Sequence, residues 1–259
     1  MCLIAFAWGA HPDYALIVGA NRDEWHERPT APAAWWIDHP QLLAGRDLQA
    51  GGTWMGVTRN GRFAAVTNFR DPADKKSTAR SRGELVTAFL LGGETPDAFL
   101  SGIKQQAHEY NGFNLILGDG NTLAYFGSRS GSAENLQPGV YALSNHTLNE
   151  PWPKVTKAKS AMEAILQAKM PEKARQIAIY EFLSNGEIAP DLALPTTGVG
   201  VEWERVLSPA LIVTPEYGTR ASTILSMSNS GLVTFAEHAR ANDGRVRGVA
   251  EFTFELQLD

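Results

Sequence analysis

The first twenty residues constrain the fold most, because they contain two apolar runs separated by a short cluster of turn formers. The runs are residues 3–8 and 14–20, and the turn formers are residues 9–13. This pattern predicts an antiparallel β-hairpin. With the turn centred on the 9–13 cluster, pairing brings Cys2 opposite residues 20–21 and places the polar residues that follow beside the start of the chain.

Cys2 is the only cysteine of the 259 residues, and it directly follows Met1. If Met1 is removed, one residue carries both a thiol nucleophile and a free α-amine that acts as its base, and both groups titrate close to neutral pH. The structural alternative is a small apolar residue that opens a buried strand. Cys2 is therefore a candidate nucleophile whose surroundings decide its role.

Further β-strands are indicated by apolar runs bounded by turn residues. A second hairpin is predicted over residues 53–58 and 63–68, around Asn60-Gly61. Other strands are predicted over 113–117, 122–126, 141–144, 210–214, 220–227, 231–237 and 246–256. Residues 25–48, rich in proline and tryptophan, are predicted to form a long ordered loop, and residues 187–209 a polar loop.

Helical periodicity occurs in two places. A helix is predicted to follow Ser81, whose spacing to Glu84 suits a capping box, and a second begins at Thr95-Pro96. Residues 152–184 are predicted to be helical with a break at Pro171.

The order of these segments is strands, two helices, strands, two helices and strands. Because a helix pair buries only one stripe, this order predicts an α+β fold: a four-layer αββα sandwich of two mainly antiparallel sheets covered by helices. We expect one domain over residues 1–259, since no Gly/Ser-rich linker interrupts the chain. A chain of two α+β domains is the alternative.

Charge and composition limit the classes of partner. A net charge of -5 argues against general binding to nucleic acid or anionic membranes, which require a basic surface. No apolar run has the length of a membrane span, the first residues do not resemble a secretory signal, and no Cys/His spacing is typical of a metal site. We expect a cytoplasmic protein with a small-molecule ligand or substrate and no required cofactor; the oligomeric state is left open.

A thiol that attacks an amide or thioester needs an anchored base and donors for the developing oxyanion. The hairpin brings Asp23 close enough to orient the amine, and Asn68 and Asn145, both at strand ends, are candidate oxyanion donors. Arg22 or Arg220 would lower the pKa of the thiol through its positive charge. Each residue also has a structural interpretation, because Asp and Asn at strand ends commonly satisfy turn backbone groups.

The same cleft is a candidate binding cavity. Its candidate ligand contacts are Asn21, Arg22, Glu24, His26 and Trp54. A bound haem is possible, with His26, His39 or His146 as axial ligand, although surface and capping roles also explain these histidines.

The string Asn21-Arg22-Asp23-Glu24 behind Met1-Cys2-Leu3-Ile4 resembles the NRDE family, also called the transport and Golgi organisation protein 2 family. Further matches to this family are Arg28-Pro29, Gly51-Gly52-Thr53-Trp54, Thr67-Asn68, Ser81-Arg82-Gly83-Glu84, Leu143-Ser144-Asn145, Pro151-Trp152-Pro153-Lys154 and Tyr217-Gly218-Thr219-Arg220.

That family is similar to N-terminal nucleophile hydrolases of the choloylglycine hydrolase and penicillin V acylase group. The resemblance implies that Cys2 is the nucleophile, Asp23 the amine anchor and Asn68 the oxyanion donor. It also implies a second polar support at Asn145 and a charge partner at Arg220.

The chain departs from the acylase pattern in one place. The acylases have Arg-Asn-x-Asp, whereas this chain has Ala20-Asn21-Arg22-Asp23, so the arginine is displaced by two positions and is expected on another face or at another depth. The resemblance also implies an alternative function, a carrier of haem, acyl-coenzyme A or lipid that uses the same cleft.

Overall fold

The computed structural model describes residues 2–74 and 76–257, so the predicted removal of Met1 concerns a residue outside the described residues. The strands in these ranges are β1 Cys2–His11, β2 Tyr14–Trp25, β3 Thr30–Trp35, β4 Leu42–Asp47, β5 Met55–Thr58, β6 Phe63–Asn68, β7 Phe113–Gly118, β8 Leu123–Gly127, β9 Ser132–Asn135, β10 Gly139–Leu143, β11 Tyr217–Ser228, β12 Leu232–Arg240 and β13 Val246–Glu255. The α-helices are α1 Gly83–Leu91, α2 Pro96–Gln106, α3 Pro153–Gln167, α4 Glu172–Leu183 and α5 Val201–Val206.

The strands form two antiparallel sheets. One has six strands in the order β10-β1-β2-β11-β12-β13, and the other has seven, β3 to β9, in chain order. Three apolar clusters fill the spaces between the layers. The first, which includes Ile4 and Ile116, lies between the two sheets. The second contains Phe89 of α1 and lies between the seven-stranded sheet and its helices, and the third contains Met162 of α3 and Ile179 of α4 and lies between the six-stranded sheet and its helices. The predicted αββα sandwich is confirmed.

The predicted first hairpin is confirmed, with a tighter turn than expected. Its strands continue to His11 and Tyr14, which pair with each other, and the register shifts between Trp8 and His11. The longer strands bring Cys2 opposite Arg22, beyond the predicted partners at 20–21.

The prediction of a loop over residues 25–48 is wrong for most of its length. This segment contains β3 and β4, which pair with each other, and β4 continues the sheet to β5. Pro32 and a register shift between Ala31 and Ala34 interrupt the alternation of β3, and this edge position tolerates a proline. The indole Nε1 of Trp36 donates to the Ala44 carbonyl at 3.1 Å and links the two strands.

Three local predictions are also wrong. The segment predicted to be a polar loop, residues 187–209, contains α5. Residues 210–214 make only an isolated bridge at Val213, because Leu211 N–H donates outside any sheet, to the Asn185 carbonyl. The capping box from Ser81 does not form: α1 has no side-chain cap, and the Glu84 carboxylate accepts instead from Tyr110 Oη at 2.6 Å.

The other helix signals are confirmed. Thr95 caps α2 by accepting from Ala98 N–H at 3.3 Å, and Pro171 separates α3 from α4. No helix in the described ranges has both the length and the apolar character needed to cross a bilayer.

Candidate functional site

Cys2 lies at the end of β1 where that strand borders a cleft. Side chains alternate along β1, so that Ile4 points between the sheets and Leu3 points to the α3 layer. Cys2 shares the side of Ile4 and contributes to a cavity of about 560 Å³. The thiol is thus buried in the fold yet borders a space large enough for a ligand.

Burial raises the pKa of the Cys2 thiol. The negative charge of Asp23 acts in the same direction, whereas the Arg22 guanidinium and a hydrogen bond from the Asp23 backbone favour the thiolate. The balance leaves a protonated thiol at neutral pH, so a nucleophilic Cys2 requires a base.

Arg22 is directly opposite Cys2 in the β1–β2 pair, so both side chains lie on the same side of the sheet. A displacement by two residues preserves the face of a strand, so the expectation of another face is wrong, and the alternative of another depth stays a prediction. The guanidinium stacks 4.3 Å from the ring centroid of Trp54 and lies 3.9 Å from Glu24 Oε2. Gly45 makes room for this stack, because a Cβ there would approach Trp54 to 2.3 Å.

Asp23 is buried on the opposite side of β2 from Arg22. Its Oδ1 accepts from Thr219 Oγ1 at 2.7 Å. Burial raises the pKa of Asp23, while the charge of Lys154 and the Thr219 hydrogen bond oppose that rise. Asp23 also lines the cavity that Cys2 borders.

Asn68 and Asn145 come together at the ends of β6 and β10, but their amides differ in availability. Asn145 is completely buried and its Nδ2 donates to the Asn68 carbonyl at 2.9 Å. Its own carbonyl accepts from Arg70 N–H at 2.7 Å. Asn68 lines the cleft, and within the described chain its side-chain amide makes no hydrogen bond. The Asn68 amide is therefore available to donate into the cleft, and Asn145 holds the Asn68 backbone.

Arg220 does not line the Cys2 cavity. It is the bulged residue between Thr219 and Ala221, and its Nη1 donates to the carbonyls of Trp25 and Arg28. The bulge directs the guanidinium toward residues 25–28, at the end of β2. Its two hydrogen bonds hold this segment in place.

The remaining predicted ligand contacts divide into two groups. Glu24, Arg22 and Trp54 line the cavity. Asn21 Nδ2 instead donates to the Leu183 and Ala210 carbonyls at 2.8 Å, which ties β2 to the helical layer. His26 Nε2 lies 3.1 Å from the Thr214 carbonyl oxygen, outside the cavity.

The cleft has two lobes of different character. The polar lobe contains Cys2, four arginines and three carboxylates: Arg22, Arg28, Arg80, Arg82, Asp23, Glu24 and Asp47. The second lobe, of about 570 Å³, is mainly apolar, and its aromatic walls are Trp25, Phe69, Trp203 and Tyr217. Asn68 and Arg82 line both lobes, so the cleft is continuous. One lobe thus offers charged groups of both signs, and the other offers apolar contact.

Sequence reasoning missed three buried charges beside the site. Arg70 Nη1 donates to Glu204 Oε2 at 2.6 Å, and Arg70 also lies 4.8 Å from the ring centroid of Trp152. Lys154, at the start of α3, interacts electrostatically with Asp23 and Cys2. In the sequence Lys154 belongs only to the motif Pro151-Trp152-Pro153-Lys154, and Glu204 lies in a segment predicted to be loop.

The candidate haem-ligating histidines lie elsewhere. Among the described residues no histidine lines either lobe. His146 Nδ1 is 2.8 Å from Glu150 Oε2, and the His39 ring packs near Trp36. No group of three or more His, Cys, Asp or Glu side chains suited to a metal ion occurs in residues 2–74 and 76–257.

The four layers and the thiol at the first residue of β1 define an αββα protein with a strand-terminal cysteine site. The chain belongs to the Transport and Golgi organisation 2 family, whose sequence model matches residues 1–242. It is 37% identical to the Transport and Golgi organization protein 2 homolog of Bos taurus (92% of this chain, 93% of that one). The human homolog is 36% identical over the same shares, and the Drosophila melanogaster protein is 26% identical over 92% and 91%.

Two solved structures share low sequence identity with this chain. The Caenorhabditis elegans ortholog of N-acylethanolamine-hydrolyzing acid amidase is 10% identical, with 86% of this chain and 92% of that one covered and a TM-score of 0.40. A mutant conjugated bile acid hydrolase from Clostridium perfringens is 8% identical, with 100% and 98% covered and a TM-score of 0.41.

Proposed function

We propose that this protein is a cysteine hydrolase that uses Cys2 against a small amide or thioester. The observation that carries the proposal is the position of the thiol in the polar lobe, opposite Arg22 and in the same lobe as the available amide of Asn68. A nucleophile, a nearby cation and an oxyanion donor are the groups that acyl transfer requires.

In the proposed reaction, the Cys2 sulfur attacks the carbonyl carbon while its proton passes to the α-amine of a chain that begins at Cys2. The developing oxyanion accepts from Asn68 Nδ2. The carbon–nitrogen or carbon–sulfur bond then breaks, and the leaving amine or thiol takes the proton. Water attacks the acyl-cysteine, releases a carboxylic acid and regenerates the thiol.

The division of the cleft limits the substrate. Arg28 and Arg80 of the polar lobe are paired with carboxylates. Arg82 forms no ion pair among the described residues, so it favours an anionic group, and the apolar lobe favours an acyl chain or ring. We therefore expect thioesters and amides with an apolar acyl part and an anionic leaving part to be preferred over neutral ones.

Turnover of a matched series of such compounds tests this function. Hydrolysis of an anionic thioester and of its neutral counterpart is measured for the wild type and for Cys2→Ala. We expect loss of hydrolysis in the variant and a higher kcat/KM for the anionic compound. Equal hydrolysis by wild type and variant would contradict the assignment of Cys2.

A carrier of an amphiphilic anion is the second candidate, because the same two lobes suit an acyl-coenzyme A without any reaction. Haem fits the described residues less well: the arginines suit its carboxylates, but its axial ligand in the cleft would have to be the Cys2 thiol, whose pKa is raised by burial. Calorimetry with a non-hydrolysable acyl-coenzyme A distinguishes the candidates. Saturable binding without turnover of thioesters favours the carrier, and absence of a saturable Soret shift on haem titration rejects haem.

A further inference from the structure

One wall of the apolar lobe is formed by a single segment, residues 197–207, which contains α5. Four of its residues line the lobe: Gly198, Val199, Trp203 and Leu207. The indole of Trp203 is the largest of these side chains and is 41% exposed. Because contact between an indole and water is unfavourable, an apolar ligand gains free energy by covering this ring.

Trp203 is part of a cluster of three aromatic rings. Its ring centroid lies 6.3 Å from that of Trp25 and 6.2 Å from that of Tyr217, both in edge contact. Trp25 and Tyr217 are themselves 5.4 Å apart. All three rings line the lobe, but Tyr217 is buried, whereas Trp25 is 43% exposed. The two tryptophans therefore present an apolar surface to the cleft.

This surface is continuous with the Cys2 site, because Asn68 and Arg82 line both lobes. Arg82 forms no ion pair within residues 2–74 and 76–257, and its Nη1 donates to the Gly112 carbonyl at 3.2 Å. The other donors of this guanidinium can bind an anionic group. An acyl compound with an anionic end can therefore cover the tryptophans and reach Arg82 at the same time.

Apolar packing alone does not determine the position of α5. The helix has six residues, and a helix of that length is not stable by itself. Its apolar contacts belong to a small cluster around Leu207, Ile212 and Tyr217, separate from the three clusters between the layers. Gly198 and Gly200, just before the helix, have φ values of 89° and 85°, a backbone conformation that favours glycine.

A buried ion pair joins this segment to the residues that follow β6. Arg70 Nη1 donates to Glu204 Oε2 at 2.6 Å, and both side chains are 4% exposed. Glu204 Oε1 accepts from the N–H and the Oγ1 of Thr197, at 2.9 Å and 2.6 Å. The Arg70 N–H donates to the Asn145 carbonyl at 2.7 Å. Because an unpaired buried charge is costly, these contacts favour one position of α5 over others.

We propose that Trp203 is a specificity-determining residue of the cleft, which with Trp25 receives the acyl chain of a ligand whose anionic end lies near Arg82. Glu204 is a positioning residue, because its pairing with Arg70 holds α5, and with it the indole, at the lobe. As a statement about substrate this inference rests on the proposed function, whereas binding of the chain requires no reaction.

Calorimetric binding of straight-chain carboxylates to the Cys2→Ala protein tests the role of Trp203. The probes are hexanoate, octanoate and decanoate. We expect affinity to rise by about three- to four-fold for each added methylene that the lobe covers. In Cys2→Ala/Trp203→Ala, decanoate is expected to bind about 10- to 50-fold more weakly, and affinity is expected to rise less with chain length.

Val201→Ala, in the same Cys2→Ala background, is the matched control. Val201 lies on the same helix as Trp203, is exposed, and lines neither lobe. Its substitution is expected to leave the dependence on chain length unchanged. The role of Trp203 would be overturned by an equal dependence with and without the indole, or by an equal loss in the two variants.

Glu204→Gln tests the positioning role, because it keeps the side-chain shape and removes the charge that pairs with Arg70. We expect it to weaken decanoate binding more than hexanoate binding. Since Glu204 acts through the indole, Trp203→Ala/Glu204→Gln is expected to bind decanoate no more weakly than Trp203→Ala. Additive losses would overturn the positioning role.

Thr197→Val keeps this test usable if Glu204→Gln fails to fold. It removes the hydrogen bond from Oγ1 to Glu204 and leaves the ion pair intact. A smaller loss in the same direction is expected, and this loss is expected to disappear in the Trp203→Ala background. A loss that persists there would overturn the positioning role.

Failure of the proposed function has a different outcome. If Cys2 is not a nucleophile, the wild type does not turn over thioesters, while the dependence of binding on chain length and its loss in Trp203→Ala persist. If the role of Trp203 is wrong, the wild type turns over thioesters, but Trp203→Ala lowers kcat/KM equally for short and long acyl chains.

Discussion

Thr219 Oγ1 donates a 2.7 Å hydrogen bond to Asp23 Oδ1 across 196 residues of sequence. The pairing of β2 with β11 sets Thr219 directly opposite Asp23. This contact connects the last third of the chain to the start of the cleft, so residues far from Cys2 in sequence determine the environment of the thiol.

Replacement of Thr219 by Val keeps the side-chain shape but removes this hydrogen bond and the one that Oγ1 accepts from Ile212 N–H at 3.0 Å. Because the acceptor is a buried carboxyl group, we expect a loss of about 1.5 to 3 kcal/mol in the free energy of unfolding, measured in urea at pH 7. Thr253→Val, at an exposed position of β13, is the control and should change stability by less than about 0.5 kcal/mol. Equal effects of the two changes would contradict the structural role of Thr219.

Substitutions of Asn68 and Asn145 should affect different properties: the rate of catalysis for Asn68 and the stability of the fold for Asn145. Asn68→Ala removes the available donor, so we expect kcat to fall by about 10²- to 10³-fold with little change in stability. Asn145→Ala deprives the Asn68 carbonyl of its partner at a buried site, so we expect a loss of about 1 to 3 kcal/mol in unfolding free energy. Unfolding curves and rates of thioester hydrolysis for both variants check this division. The reverse pattern would show that the two roles have been exchanged.

Glu237 should make stability depend on pH. It is buried between the sheets, its Oε1 accepts from Ala33 N–H at 2.7 Å, and burial raises its pKa to about 7. The pKa of Glu237 is higher in the folded protein than in the unfolded chain, where it is near 4.5. Its contribution to stability is therefore fully present below pH 4.5 and is lost as pH rises through about 7. From pH 4.5 to 8 the wild type should lose about 3 kcal/mol relative to Glu237→Gln.

Urea unfolding of both proteins across this pH range measures the difference. Glu251→Gln, at an exposed position of the adjacent strand β13, is the control and should follow the wild type. A constant difference between wild type and Glu237→Gln at all pH values would contradict the raised pKa.

Gly45 should be intolerant of a side chain because of Trp54. A Cβ at this position would lie 2.3 Å from the indole, so Gly45→Ala must displace the ring from Arg22. We expect a loss of about 1 to 3 kcal/mol in thermal or urea unfolding. Gly93→Ala meets no atom within 4 Å and should be near neutral. Similar stability of both variants would contradict the packing of Trp54.

The layers of the fold could be predicted because most strands and helices have a regular apolar pattern in the sequence. The first hairpin, the break at Pro171 and the helix from Thr95 all follow local chemistry that the structure retains. Strand β3 was not predictable: Pro32 and an irregular register hide its alternation, and its pairing with β4 is a tertiary effect.

The site could be predicted in part, where local sequence patterns determine the positions of its residues. Cys2, Arg22, Asp23 and Asn68 meet because hairpins and strand ends determine their positions. The role of Arg220 depends on a β-bulge, which spacing does not reveal. Lys154 occupies an ordinary position for a solvated helix lysine, and only the three-dimensional packing buries it.

Intact-mass analysis after brief exposure to an activated acyl ester tests the claim that Cys2 is a nucleophile. We expect a mature chain that begins at Cys2 and gains the mass of one acyl group, which peptide mapping assigns to Cys2 and which is lost on standing in water. A folded chain that retains Met1 and gains no acyl group at Cys2 would contradict the claim.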